Sequence, residues 1–384
     1  MTIAFIFLSF IYIIVNFNKK DVLMSKNMPE YQIYVGSQKT LGGLGVYSFI
    51  LNKDAKPSTP ILIAELESPS FIALHPSENF LYAISKVTEG KVQNGKVFAY
   101  KVNNKLELIN NKQSGGAGPC FISLTKDSKS VLVAHYGDGK VSSLPILSDG
   151  SVGEANAVIQ HEGSVPNSDR QTGPHAHNIR TNSSGNFALS CDLGADKIFI
   201  HPIEKETGCL LPSTFEGKAS KISAGPRHFD FDAENNHIYV ANELDSTVAI
   251  YSFDSTKGEL TYIDHASSLP PGYSEPNTLS EIVMHPSGKW LYTANRGLDS
   301  IAVFAVESKG KKIRLLTQVS CGGKTPRHFH IDPTGKILLS ANQNSGNVAI
   351  FIIDEATGIP KATGDSVAVP GASCIVFGKI REKN

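Results

Sequence analysis

The chain has 384 residues, of which 36 are lysine or arginine and 36 are aspartate or glutamate, so its formal net charge is zero. This balance gives no electrostatic reason to expect nucleic acid or an anionic membrane as a partner. A hydrophobic fraction of 41% is enough for a large core, and 33 glycines and 20 prolines predict many turns. The five cysteines are widely spaced and form no C-x-x-C pair, which predicts buried small hydrophobes rather than a disulfide framework.

The N-terminal residues 2–15 are almost wholly apolar, and Lys19 and Lys20 follow them. This run is shorter than the roughly 20 residues that a membrane span needs. It has the length of a signal-peptide core, but no basic residue precedes it and no clear cleavage site follows it. We interpret residues 1–28 as an extension outside the fold, which is either a signal or anchor or a non-structural segment. The predicted location is cytoplasmic, with export or anchoring through residues 2–17 as the alternative.

From Tyr31 onward the sequence consists of short apolar or alternating runs separated by Gly, Asn, Asp and Pro. Regularly spaced short strands with turn residues between them predict an all-β protein. A repeat of nearly constant period supports this prediction. Its units open, at intervals of 50, 55, 52, 53, 47 and 46 residues, at Pro69, Pro119, Pro174, Pro226, Leu279, Pro326 and Ala372.

Each repeat unit contains an apolar strand, a turn such as His285-Pro-Ser-Gly-Lys and three further strands, the last of them more variable. Four antiparallel strands with this period are typical of a β-propeller blade, so seven openings predict seven blades. The last unit supplies only an inner strand, near Ala372. The strands that begin at Tyr31 and Gly45 are therefore predicted to complete that blade and close the ring. Residues 29–384 are predicted to form this single domain.

Two positions in the repeat carry polar side chains that packing does not explain. The first follows the opening residue and reads, round the ring, Ser70, Cys120, His175, Arg227, Ser280, Arg327 and Ser373. The second ends the second strand and reads, with one inserted residue allowed in the unit that opens at Pro174, Lys86, Tyr136, Asp192, Glu243, Arg296 and Gln343. Strand ends of this kind meet at one rim of a propeller channel, which makes this rim the candidate site.

These residue types fit the chemistry of a small anionic substrate. Arginine binds carboxylate or phosphate through two hydrogen bonds. Glu243, with Asp192 as the alternative, is a candidate general base if its environment tunes its pKa, and His175 can transfer a proton. A purely structural ion pair between Arg227 and Glu243 remains an open alternative. His175 and His177 offer only two ligands to a metal, so no metal is predicted.

Six short motifs carry a family resemblance: Gly173-Pro-His-Ala-His, Asp192-Leu-Gly-Ala-Asp, Gly225-Pro-Arg-His-Phe, Asn242-Glu-Leu, Ser280-Glu-Ile and Ala294-Asn-Arg-Gly-Leu-Asp-Ser-Ile. In this order and spacing they resemble the seven-bladed propeller lactonase family, which contains propeller-type 6-phosphogluconolactonases and the fungal carboxy-cis,cis-muconate lactonizing enzyme. The resemblance covers residues 31–380 and implies lactone chemistry without a cofactor. It also implies catalytic roles for His175, Arg227, Arg296 and Glu243.

The predicted function is the hydrolysis of a sugar lactone, 6-phosphoglucono-δ-lactone to 6-phosphogluconate, in the pentose phosphate pathway. In this prediction Glu243 activates water, Arg227 and His175 stabilise the oxyanion, and Arg296 holds the anionic group. The predicted substrate-binding residues are Asp192, Arg327, Lys86 and His177.

Two other functions remain open, a muconate-type lactonizing cycloisomerase and a non-enzymatic propeller that binds a partner. The expected partner is a small anionic lactone rather than nucleic acid, and a membrane is expected only through the N-terminal segment. A monomer or a weak homo-oligomer is expected.

Overall fold

The structure, a computed structural model, describes residues 28–89, 92–166 and 168–380. These residues form seven four-stranded antiparallel sheets, which confirms the predicted seven-bladed β-propeller. The predicted N-terminal extension lies outside the described residues except for Met28. Met28 is buried in the same apolar cluster as Tyr31 and Phe49.

Within each blade the first strand lines the central channel, and the other three follow it in order towards the outside. Blade 1 contains β4 (Ile72–Leu74), β5 (Phe80–Glu89), β6 (Val92–Val102) and β7 (Leu106–Gln113). Blade 2 contains β8 (Pro119–Leu124), β9 (Ser130–His135), β10 (Lys140–Pro145) and β11 (Ala157–Gln160). Blade 3 contains β12 (Ala176–Thr181), β13 (Phe187–Asp192), β14 (Lys197–Pro202) and β15 (Phe215–Lys218).

The remaining blades follow the same plan. Blade 4 contains β16 (Pro226–Phe231), β17 (His237–Asn242), β18 (Thr247–Asp254) and β19 (Glu259–Ser267). Blade 5 contains β20 (Thr278–Met284), β21 (Trp290–Arg296), β22 (Ser300–Glu307) and β23 (Lys312–Ser320). Blade 6 contains β24 (Pro326–Ile331), β25 (Ile337–Asn342), β26 (Asn347–Ile353) and β27 (Pro360–Ala368). Within the described residues, two short 3₁₀ turns occur at Lys39–Leu41 and Ser308–Gly310.

Blade 7 joins the two ends of the described chain, as predicted. Its inner strand is β28 (Ala372–Lys379), and β1 (Tyr31–Ser37), β2 (Gly45–Leu51) and β3 (Ile61–Glu65) follow outward. The β1–β28 ladder runs antiparallel and pairs Val35 with Ile375. The inner strand of each blade contacts that of the next, and β28 contacts β4, so the ring is closed.

The core lies between neighbouring blades, and the side-chain alternation of the strands explains it. In β17, Ile238 and Val240 pack in the cluster shared with blade 3, whereas Tyr239 and Ala241 pack in the cluster shared with blade 5. Successive residues of a strand point to opposite faces, and both faces of a blade are covered. The middle strands are therefore apolar throughout rather than alternating with polar residues.

The inner strands carry a β-bulge where they begin. The residue skipped by the ladder is Cys120 in β8, His177 in β12, Arg227 in β16 and Arg327 in β24. A bulge re-aims the unpaired side chain and bends the strand, which is common next to active sites. In this fold two of the bulges place the long side chains of Arg227 and Arg327 at one mouth of the channel.

In the part of the chain that the structure describes, no helix has the length and apolar character needed to cross a membrane.

Candidate active site

The carboxylate of Glu243 is the centre of the candidate site. Glu243 follows β17 and is buried. Its Oε1 accepts a hydrogen bond from Arg170 Nη2 at 2.9 Å. Its Oε2 lies 2.9 Å from Arg227 Nε and 3.0 Å from Arg296 Nη2. One negative charge therefore faces three positive charges, which leaves the cluster with a net charge of +2 before any ligand binds.

The arginines control the ionisation of Glu243. Burial by itself raises the pKa of a carboxyl group, but Arg296, Arg227 and Arg170 outweigh it and lower the pKa of Glu243 to about 2. Burial, reinforced by the nearby charge of Arg296, lowers the pKa of Arg227 to about 9. Both groups are thus charged at neutral pH. An ionised carboxylate so strongly stabilised by its neighbours is a weak base.

Two backbone carbonyl groups hold the strand arginines in place. Arg227 Nη1 donates a hydrogen bond to Ser280 O, and Arg296 Nη2 donates one to Leu279 O at 2.8 Å. Both acceptors belong to β20, the inner strand of blade 5. The arginines of blades 4 and 5 are therefore aimed at Glu243 by the backbone of the strand between them.

Arg327 and Lys86 add positive charge to the same rim. Burial and then the charge of Arg296 lower the pKa of Arg327, and the negative charge of Glu243 opposes this effect. Lys86 is exposed at the rim of blade 1, where a Cβ added to Gly118 would lie 3.9 Å from its Cε. The rim therefore combines five cationic side chains with the carboxylate of Glu243.

The ring of His175 is fixed by Tyr136. His175 Nδ1 lies 2.6 Å from the carbonyl oxygen of Tyr136, and the two rings stack with centroids 4.5 Å apart. A carbonyl oxygen only accepts hydrogen bonds, so Nδ1 carries the hydrogen and a neutral His175 keeps its lone pair on Nε2. The backbone at this point is crowded, since any Cβ on Gly194 would overlap Gly173 O and approach His175 Cδ2.

Asp192 lies beneath His175 and is fully buried. Its Oδ1 accepts hydrogen bonds from the backbone N–H groups of His175 at 2.7 Å and Ala195 at 2.8 Å. Its Oδ2 lies 2.9 Å from His161 Nδ1. Both carboxylate oxygens therefore have partners within the protein, and Asp192 holds the backbone segment that positions His175.

The structure corrects the predicted register of Asp192. The prediction aligned this residue with Glu243. In the structure, however, β13 ends at Asp192 and β17 ends at Asn242. Each of these two residues forms the last pair between the second and the third strand of its own blade. Asp192 therefore corresponds to the buried Asn242, and Leu193 takes the position of Glu243. The alignment was wrong because it allowed one inserted residue, whereas Ala176, two residues after the predicted opening Pro174, takes the position of Pro226.

The predicted register of His175 is also corrected. The prediction aligned His175 with Arg227, but the bulge residue of β12 is His177, as Arg227 is the bulge residue of β16. His175 lies two residues earlier, just ahead of the strand. It reaches the rim from the connection before β12, not from the bulge.

His177 lies in the channel, below the rim. Its Nδ1 is 3.2 Å from His228 Nε2, and burial lowers its pKa far below the ordinary value for histidine. His228 Nδ1 lies 3.1 Å from both carboxylate oxygens of Glu281, and His328 Nε2 lies 3.3 Å from Glu281 Oε2. His177 thus joins a buried histidine–glutamate cluster.

The structure brings most of the predicted site residues together. Arg227, Arg296 and Glu243 are in direct contact. His175 is connected to them through Tyr136, whose hydroxyl accepts a hydrogen bond from Arg170 Nη2 at 3.0 Å. Two predicted residues lie deeper, Asp192 under His175 and His177 in the channel.

Sequence reasoning did not select Arg170. This residue comes from the connection between β11 and β12, which is longer than the corresponding connections of the other blades. The signal available in the sequence was the length of that connection, since the next inner strand begins only at Ala176.

Among the described residues, no group of three or more His, Cys, Asp or Glu side chains is arranged to hold a metal ion. No cysteine in this part of the chain is in a disulfide, and four of the five are buried.

Comparison with known proteins identifies the family. Residues 32–377 match the family described as "Lactonase, 7-bladed beta-propeller". The chain is 33% identical over 354 residues to the 6-phosphogluconolactonase of Bacillus subtilis (strain 168), covering 91% of this chain and 99% of the relative.

Solved structures agree with this match. The periplasmic gluconolactonase of Pseudomonas aeruginosa matches with a TM-score of 0.84 and 26% identity, covering 91% of this chain and 99% of that one. A Lactobacillus plantarum protein matches with a TM-score of 0.85 and 26% identity, covering 91% of this chain and 100% of that one.

The fold and the site define a β-propeller that gathers arginine, histidine and glutamate side chains at one mouth of its channel. The chain belongs to the seven-bladed β-propeller lactonase family, and it is an enzyme of the lactone hydrolase class.

Proposed function

We propose that this protein hydrolyses 6-phosphoglucono-δ-lactone to 6-phosphogluconate. The observation that carries the proposal is the excess of positive charge around Glu243, where three arginines approach to 2.9–3.0 Å and Arg327 adds a fourth cation nearby. Such a site attracts an anionic ligand, and guanidinium groups match phosphate geometry. The name of the Bacillus relative denotes the phosphorylated lactone, and that of the Pseudomonas relative denotes a gluconolactone.

We assign the general base to His175 rather than to Glu243. Glu243 is held ionised by three arginines, with a pKa of about 2, so it has little tendency to take a proton from water. His175 donates its Nδ1 hydrogen to Tyr136 O and keeps the lone pair of Nε2. In this arrangement Nε2 accepts a proton from the attacking water. Asp192 is then a positioning residue, because it acts through the backbone of His175.

Arg227 and Arg296 differ in side-chain exposure, and we assign them different roles for this reason. The Arg227 side chain is 2% exposed and its donors face Ser280 O and Glu243, so we assign it to fixing the carboxylate. The Arg296 side chain is 15% exposed, and its guanidinium faces the developing oxyanion in our proposal. Arg327 and Lys86 add to the positive charge of the rim, which attracts the anionic substrate.

The proposed reaction uses water and these side chains. The water oxygen bonds to the lactone carbonyl carbon while His175 Nε2 takes one water proton. The tetrahedral oxyanion then collapses and the bond from this carbon to the ring oxygen breaks. His175 returns its proton to the ring oxygen, which becomes a hydroxyl group, and the new carboxylic acid releases a proton to solvent.

The test is the hydrolysis rate of freshly prepared 6-phosphoglucono-δ-lactone with the purified full-length protein, followed by trapping residual lactone as a hydroxamate. The expected result is a rate well above spontaneous hydrolysis. A rate equal to the spontaneous one would reject the proposal. Activity on muconate-type lactones without activity on the phosphorylated sugar lactone would instead support the cycloisomerase alternative.

The cytoplasmic location and the monomeric or weakly associated state stay predictions. Residues 2–17, on which export or anchoring depends, lie outside the described residues. Cell fractionation of the full-length protein and of a variant starting at Met28 would test the location. Sedimentation of the purified protein would test the assembly.

A further inference from the structure

Arg170 differs from the other arginines at Glu243 in its origin. Arg227 and Arg296 belong to strands, whereas Arg170 lies in the connection between β11 and β12. This connection is anchored close to Arg170 by the buried Gln171, whose Nε2 donates a hydrogen bond to Leu193 O at 2.8 Å. At its start, His161 is bound to Asp192. Arg170 is therefore held over the site by a segment with its own buried anchors.

Arg170 also differs in its exposure. Its side chain is 49% exposed, compared with 2% for Arg227 and 15% for Arg296. Among the described residues, both of its hydrogen bonds use Nη2, one to Glu243 Oε1 and one to the Tyr136 hydroxyl. Nη1 and Nε remain as donors for a ligand. The Tyr136 hydroxyl accepts a hydrogen from Arg170, so its own hydrogen is also available to donate.

Glu243 does not depend on Arg170 for charge compensation. If Arg170 turns towards a ligand, Arg227 and Arg296 still lie 2.9 Å and 3.0 Å from Glu243 Oε2. The buried carboxylate is then never left unpaired, which is the costly outcome for a buried ion pair. Arg170 is thus the arginine of this cluster that can change partners at least cost.

We propose that Arg170, together with the Tyr136 hydroxyl, binds the phosphate group of the substrate and determines the preference for phosphorylated over unphosphorylated lactones. This inference rests on the proposed function, because it names the residues that recognise the anionic group. When Arg170 turns away from Glu243, its Nη2 becomes free and forms, with Nε or Nη1, two parallel hydrogen bonds to the phosphate, and the Tyr136 hydroxyl supplies a third.

The experiment compares 6-phosphoglucono-δ-lactone with glucono-δ-lactone in wild type and Arg170→Gln. The ratio of kcat/KM for the phosphorylated to the unphosphorylated lactone is expected to fall about 10- to 100-fold, because hydrogen bonds between charged groups are lost. The fall should come mainly from KM. Arg170→Lys should recover part of the ratio, and Tyr136→Phe should lower it by about 3- to 10-fold.

Arg314→Gln is the matched control, because Arg314 is also an exposed arginine paired with a glutamate, Glu307, at 2.8 Å. It lies on β23, the outer strand of blade 5, and should leave the ratio unchanged. An Arg170→Gln variant that loses the same factor on both lactones would show a general role and overturn the inference. An unchanged ratio would also overturn it.

Calorimetric titration with inorganic phosphate separates this inference from the proposed function, because it requires no turnover. Wild type is expected to bind phosphate and Arg170→Gln to bind it at least tenfold more weakly. If the wild type hydrolyses neither lactone but shows this difference, the proposed reaction fails and the anion site stands. Equal phosphate affinity in both proteins would overturn the anion site.

Discussion

Replacing Glu243 with glutamine tests the central feature of the site, a buried carboxylate whose charge is balanced by arginines. The replacement keeps the shape of the side chain and removes its charge. Arg227 and Arg296 then face each other without the anion between them. We expect the variant to be less stable than wild type at neutral pH and the difference to disappear in acid.

The magnitude follows from the ionisation of Glu243. Its pKa is about 2 in the folded protein, against an ordinary value of 4.5. A carboxyl group with a lowered pKa contributes stability at pH values above its ordinary pKa, and this contribution is lost as the pH falls through the folded value. At about 1.4 kcal/mol for each tenfold change in the ionisation equilibrium, the contribution at neutral pH is about 3 kcal/mol. Removing one partner of a buried ion pair costs about 3–5 kcal/mol, which is consistent.

The assay is urea unfolding followed by the fluorescence of Trp290, the only tryptophan of the chain, which is buried in β21. The urea midpoint of Glu243→Gln should lie well below that of wild type at neutral pH, and more than half of the gap should close by about pH 3. The control is Glu307→Gln, which breaks an exposed pair with Arg314 and should cost less than about 1 kcal/mol. A gap that stays constant from neutral pH to about pH 3 would refute the reasoning.

Three further predictions concern catalysis. His175→Gln should lower kcat about 10²- to 10⁴-fold in the lactone-trapping assay, because Nε2 no longer accepts the proton of water; a normal kcat would remove His175 from the base role. Asp192→Asn should lower kcat with little change in KM and cost about 1–3 kcal/mol in urea unfolding, because it disturbs the acceptor for the backbone of His175. Wild-type kinetics in that variant would contradict the positioning role. Raising the salt concentration should raise KM for the phosphorylated lactone, because ions screen the positive rim, and a salt-independent KM would argue against recognition by charge.

The blade architecture could be predicted because its determinants are local. Short apolar runs, turn residues such as those of His285-Pro-Ser-Gly-Lys, and a nearly constant period specify one blade at a time. An incomplete last unit and unpaired first strands then predict ring closure, which the pairing of β1 with β28 confirms. Comparing equivalent positions of the blades also distinguishes packing residues from candidate site residues. Arg227, Glu243 and Arg296 stood out because the residue at each of their positions varies from blade to blade, and the structure brings these three into contact.

The sequence by itself therefore determined the seven blades, the closed ring and the charged rim. The tertiary structure decided which side chains contact one another at that rim. Asp192 and His175 were misaligned because one or two inserted residues near a bulge change the face to which a side chain points. Arg170 was missed because a loop outside the repeat brings it to Glu243 across 73 positions of the chain. Such contacts depend on where blades and loops meet in space, which no local pattern records.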